Sequence, residues 1–131
     1  MKSVILLFLL FSLSFSNYIV SGNILGLSGK HPIIVNIYNE ESWLNRKVLQ
    51  QRVIPTTESI KNFDFMVPTN DYGIVVIEDK DKNGKMSFGL FGPSEPMKVY
   101  TLNKIVFGPP NFNDFKFNVS KNITDIVISF K

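Results

Sequence analysis

Asp79, Asp81 and Asn83 stand at alternate positions and are followed at once by Gly84. That is the opening half of a calcium loop. Positions one, three and five supply oxygen ligands, and a glycine at position six allows the sharp turn. The complete pattern closes on a bidentate acid at position twelve, which here is Leu90. Lys80, Lys82 and Lys85 lie close by and offset the two carboxylates. Strand alternation points Glu78 to the opposite side from Asp79. A metal site at Asp79, Asp81 and Asn83 would therefore hold Ca²⁺ weakly, and no other cofactor is expected. The plain alternative is a turn: Asn-Gly is a strong turn signal, and the Asp and Lys side chains keep it wet.

Other chemistry is scarce. The chain has no cysteine, which excludes disulfides, a thiolate nucleophile and a zinc-thiolate site. His31 is the single histidine, and it precedes Pro32. That placement predicts an extended, exposed turn residue. No G-x-S-x-G elbow accompanies it, so the chain reads as a non-enzyme, with a small hydrolase as the runner-up. Trp43 and the 12 phenylalanines suit core and lid packing better than ligand stacking. Residues 107–110, Phe-Gly-Pro-Pro, suit a rigid strand crossing. Asn118-Val119-Ser120 and Asn122-Ile123-Thr124 are glycosylation sequons by pattern, of consequence only in a eukaryotic secretory host.

The 131 residues hold one domain, and 44% hydrophobic content supplies a core. Residues 1–16 read as a signal peptide. Lys2 is the positive start, residues 4–13 form an apolar run, and Ser14 and Ser16 are the small residues before a cut. The run is too short to span a bilayer, which takes about 20 residues. Residues 17–131 are then the mature domain, with no stable membrane span and a secreted or periplasmic location. Losing Lys2 leaves 13 basic against 11 acidic side chains. Without a basic stripe, nucleic acid is not a partner.

The elements that position the acidic loop read as strands. Residues 74–77, Ile-Val-Val-Ile, run directly into it, and an apolar β-branched run of this kind needs cover on both faces. Residues 17–27 and 33–38 are strands joined by a Gly- and Pro-punctuated turn. Residues 39–45 form a loop or short helical turn, and residues 48–54 are either strand or helix. In residues 60–67, Phe63, Phe65 and Val67 face one way. Residues 88–96 are a Gly/Pro-rich crossing, and residues 99–107 are ambiguous. Phe115, Phe117 and Val119 alternate with Lys116 and Asn118, and Ile126, Ile128 and Phe130 close the chain with the same period. No helical period is sustained. The pattern predicts an all-β fold: a single antiparallel β-sandwich of seven to eight strands, immunoglobulin-like in class.

The order of these motifs resembles one known family. Gly26-Leu27 ends the first strand, and Tyr38-Asn39 closes the second. A Pro-led turn feeds the buried strand into the Asp79-to-Lys85 loop. Phe107 to Phe112 reads Phe-Gly-Pro-Pro-x-Phe, with Asp114 and Phe115 after it. The set resembles the secreted bacterial domain-of-unknown-function family 2141. That resemblance implies a prealbumin-like β-sandwich in the cell envelope with no established activity. Departures are Glu78 where the family commonly has His, Ser87 where it often has an acid, and no counterpart in residues 97–103 to its Tyr-Gly-Phe segment. The resulting expectation is an exported binding or structural module, with an envelope protein or a glycan as partner. Mass spectrometry of envelope or culture protein should find a mature N-terminus at Asn17. Recovery of full-length cytoplasmic protein alone would refute export.

Overall fold

A computed structural model describes residues 16–26, 29–56, 61–80, 88–89, 92–93, 97–100 and 110–129. In chain order the elements are β1 (Asn17–Leu25), β2 (Ile33–Tyr38), α1 (Glu40–Leu44), β3 (Gln50–Ile54), β4 (Asn62–Pro68) and β5 (Asn70–Glu78). Then come β6 (Phe88–Gly89), β7 (Gly92–Pro93), β8 (Met97–Val99), α2 (Phe112–Phe115), β9 (Phe117–Val119) and β10 (Ile123–Ser129). Two sheets form a β-sandwich. One runs β10-β1-β4, and the other runs β3-β2-β5-β8 with β9 also beside β5. β6 and β7 form a minimal antiparallel pair.

β5 is the spine of the larger sheet. One edge pairs with β2 from Ile33↔Glu78 to Tyr38↔Gly73. The other edge is shared, with β9 against residues 70–72 and β8 against residues 75–77. Ile74 and Val76 face the sandwich core, with Ile33, Val35 and Ile37 of β2. The opposite sheet meets them with Val20, Phe65, Val67, Ile126 and Ile128. Val75 and Ile77 face the other way, into a second cluster with Ile34, Tyr38, Val99, Phe112 and Phe115. The apolar run is thus covered on both faces, as its composition requires.

Two glycines mark where layers touch. A Cβ on Gly73 would overlap the Phe115 ring, so the bare backbone lets α2 lie on β5. A Cβ on Gly22 would overlap the Ile126 backbone, which lets β10 approach β1. Gly26 turns the chain out of β1 with φ 79°, a region open to glycine. At the β3 flank, Arg52 lies over the Phe65 ring at 5.0 Å and closes the edge of the core.

The structure departs from the sequence-based expectations in particular places. β1 and β10 pair in parallel, while the other strand pairs are antiparallel among the described residues. Of the readings left open, residues 48–54 take the strand, β3 over Gln50–Ile54, and residues 39–45 take the short helical turn, α1. Phe115 does not begin a strand. It ends α2, where Phe112 and Phe115, three apart, share the buried side of one helical turn. The strand alternation starts only at Phe117. His31 is half-buried rather than exposed, and its Nδ1 is buried without a hydrogen-bond partner among the described residues.

Val76 is 0% exposed in the sandwich core. Val76→Asp would place a carboxylate there with no partner, a cost on the order of 4 kcal/mol. The melting temperature should fall by about 10 °C or more. A mutant melting within a degree or two of wild type would show that this strand does not carry the core.

Candidate functional site

Helix α1 is five residues long, so its form depends on its ends. Asn39 is the N-cap. Its Oδ1 accepts from Ser42 N–H at 2.8 Å, and its own N–H donates to Ser42 Oγ at 2.9 Å. This reciprocal pair is a capping box with Ser in the place usually held by Glu or Gln. Glu40 and Glu41 lie in the first turn, where the helix dipole favours negative charge. At the far end, Arg46 N–H donates to Trp43 O at 3.1 Å and Lys47 N–H to Ser42 O at 2.9 Å. Those two bonds make a Schellman motif. Its left-handed position, φ 54°, is filled by Arg46 instead of glycine. A Cβ in that region costs about 1 kcal/mol, which the surrounding bonds offset.

Trp43 fixes this helix to the body of the protein. Its Nε1–H donates to Pro110 O at 3.0 Å. Its ring meets Tyr38 edge-on at 5.0 Å and Phe115 at 5.1 Å, and Phe115 meets Phe112 at 5.6 Å. Beneath the cluster, Gln51 Nε2 donates to Asn36 Oδ1 at 2.9 Å, and Asn36 Nδ2 donates to Tyr38 OH at 3.2 Å. Burial pushes the Tyr38 phenol above its ordinary pKa, and the Asn36 bond partly offsets the shift.

The start of β5 is held from the side. Asp71 lies opposite Asn118 in the β5–β9 register, and its Oδ1 accepts from Asn118 Nδ2 at 3.0 Å. Lys116 Nζ stands 3.9 Å from Asp71 Oδ2. Asn70 Oδ1 accepts the Asp71 N–H at 2.8 Å. Tyr72 OH donates to Pro68 O at 2.7 Å and ties the β4–β5 turn.

Between these two supports lies an open groove of about 460 Å³. Asn39, Glu40, Glu41, Leu44 and Asn45 of the helix segment line one side, and Asn70 and Asp71 of β5 line the other. The walls offer side-chain amides, carboxylates and one apolar contact at Leu44. Such groups accept from hydroxyls and ammonium groups and donate to ring oxygens and carbonyls. Among the described residues, no group of three or more His, Cys, Asp or Glu side chains could hold a metal ion. The groove was not legible as a unit, because residues 39–45 and 70–71 are far apart in sequence.

The acidic loop leaves the opposite end of β5. Asp79 is 2% exposed, and Glu78 is also buried. Asp79 N–H donates to Pro32 O at 2.8 Å, which extends the β2–β5 ladder by one bond. Pro32 has no N–H to return, so the ladder stops there. Lys80 N–H then donates to Glu78 O at 3.0 Å, a tight three-residue turn. Asp79 is therefore packed, where a wet turn residue was expected. Asp81 and Asn83 lie outside the described residues, as do Gly84, Leu90 and residues 107–109 of the Phe-Gly-Pro-Pro turn.

No helix among the described residues is long and apolar enough to cross a membrane. No curated protein and no solved structure matches the chain. A family model does match, over residues 26–127, from the end of β1 to within β10. Most of the sandwich is thereby covered, and the chain belongs to the family described as uncharacterized protein conserved in bacteria, DUF2141.

Proposed function

We propose that this protein is an exported, non-enzymatic binding module of the bacterial envelope. Its ligand is a polar one, a glycan in preference to a protein surface, taken in the groove between α1 and the start of β5. The observation that carries this reading is the groove's rigid construction. Both walls are fixed by side-chain bonds before any ligand arrives, so little ordering cost remains for binding. The amide and carboxylate lining matches hydroxyl and amine groups of sugars. Export is supported by the position of β1. Its ladder with β4 starts at Asn17↔Pro68, directly after the leader's Ser16. A later cut, after Val20 or Gly22, would remove rungs of the central strand.

Soluble peptidoglycan fragments and chitin oligosaccharides are suitable probes. Amide NMR should show shifts centred on Asn39, Glu41, Asn45 and Asn70. Glu41→Lys should weaken binding about tenfold, the equivalent of about 1.4 kcal/mol. Shifts confined to other surfaces, or none with either probe, would refute the groove as the site. Turnover of a probe during the titration would favour the hydrolase reading instead.

A second reading is favoured by the burial of Asp79 beside Glu78 at the exit of β5. It makes the loop with Asp79, Asp81 and Asn83 a weak Ca²⁺ site. A hard cation takes six to eight oxygens, and tight sites gather several negative charges. Two carboxylates, one amide and a missing closing acid suit an affinity no better than ~10⁻⁴–10⁻³ M. Calorimetric titration of chelator-treated protein measures it. Micromolar binding abolished by Asp79→Ala would overturn the weak-site claim and move calcium to the leading function.

A further inference from the structure

Hydrogen bonds within the protein already use up part of the groove between α1 and β5. Asn39 Oδ1 is spent on Ser42 N–H, and Asn70 Oδ1 is spent on Asp71 N–H. Both amides are thereby oriented, and each keeps its Nδ2, which can only donate. Asp71 is spent as well. Its Oδ1 accepts from Asn118 Nδ2 at 3.0 Å, and Lys116 Nζ stands 3.9 Å from its Oδ2. Glu40 and Glu41 differ from it. Both are exposed, and among the described residues neither carboxylate has a cation or a hydrogen-bond donor against it. The lining thus keeps two oriented amide donors and two unmatched carboxylates for a ligand. Asn45 adds an amide, and Leu44, 72% exposed, adds an apolar contact.

The charge on these walls has one sign. Glu40, Glu41 and Asp71 line the groove, and no Lys, Arg or His does so among the described residues. The protein as a whole is basic, with 14 Lys and Arg against 11 Asp and Glu. Salt screens exposed charges beyond about 8 Å at physiological ionic strength, so the local lining decides what is held. A neutral sugar leaves Glu40 and Glu41 unmatched. A primary ammonium brings them three donors and a full charge.

We propose that the groove's ligand is a glycan with free amino groups, an oligomer of 2-amino-2-deoxy sugars that is not N-acetylated. This rests on the groove being the binding site and specifies which glycan it takes. The ammonium goes to Glu40 and Glu41. Hydroxyl or ring oxygens accept from the Asn39 and Asn70 Nδ2 groups, and a sugar face covers Leu44. A lysine side chain fits less well. It carries its ammonium on a bare hydrocarbon stem, whereas an amino sugar has oxygens on the carbons beside the amine.

Calorimetry and amide NMR with a glucosamine tetrasaccharide and its fully N-acetylated counterpart test this. At about pH 6 carboxylates are ionised and a primary amine is protonated. The amino form should bind about three- to tenfold tighter, as two exposed charge pairs allow. Its shifts should centre on Asn39, Glu40, Glu41 and Asn70. The preference should shrink towards about 1 M salt, where the screening length falls to ~3 Å. Glu40→Gln combined with Glu41→Gln should bring the two forms to equal affinity. Asp125→Asn removes an exposed charge outside the groove lining and should leave the preference intact. The salt series needs no variant, so it decides even if the double substitution does not fold. Equal affinities at the groove, or a preference indifferent to salt, would overturn the inference and leave the groove as a glycan site. No shift at the groove with either sugar would refute the groove itself. A lysine tetrapeptide bound there as tightly as the amino sugar would overturn the glycan assignment.

Discussion

Burial of β5 on both faces is the constraint on which the other features depend. Ile74 and Val76 go to the sandwich core, and Val75 and Ile77 go to the cluster under α2. Full burial of one such side chain contributes about 1.5–3 kcal/mol, and four in succession leave no room for a polar group between them. Polar chemistry is therefore confined to the ends of the strand. Asn70 and Asp71 stand at its start, and Glu78 and Asp79 at its exit. Eight residues of extended chain separate the two aspartates by about 26 Å. The groove and the acidic loop are thus distinct places, and no single ion or small ligand can bridge them.

The second face of β5 also explains why α1 stays where it does. A five-residue helix does not hold itself together in water. Its cap bonds satisfy the free N–H groups, but position comes from Trp43. The indole meets Tyr38 and Phe115 and bonds Pro110 O, so it joins β2 to α2. Phe115 in turn lies on bare Gly73. Groove geometry therefore depends on a chain of contacts running Gly73–Phe115–Trp43–Asn39. A side chain at residue 73 would disturb the groove wall without touching it, by displacing Phe115 first.

Much of this layering was legible in the sequence, and the reasons are local. Alternation at Phe63, Phe65 and Val67, and again at Ile126 and Ile128, placed those side chains in the core, as found. The Ile74–Ile77 run was legible as two-sided because four β-branched residues in a row have no polar face to offer. What could not be read was non-local or too short to have a period. Parallel pairing of β1 with β10 joins the two ends of the chain, and nothing in either strand encodes its partner's direction. α2 is a single turn, in which Phe112 and Phe115 fit a helix and Phe115, Phe117 and Val119 fit a strand equally well. The helix prevails because the Phe115 pocket above Gly73 lies on the second face, whereas Val119 packs into the first. The groove needs residues 39–45 beside residues 70–71, a juxtaposition set only once β2 and β5 are in register.

The same register decides the character of the acidic loop. Counting along the ladder from Tyr38↔Gly73 to Ile33↔Glu78 brings Pro32 opposite Asp79. Proline cannot donate, so pairing must end there, and the chain is free to turn only after Asp79 has been carried inside. A carboxylate on the far side of the turn would be wet and would cost little to place. Asp79 is instead set into the packed end of the sheet, at 2% exposure, by a proline forty-seven positions earlier in the chain. The loop motif and the strand are therefore not independent. Moving the end of the ladder by one residue would turn Asp79 to the other face of β5.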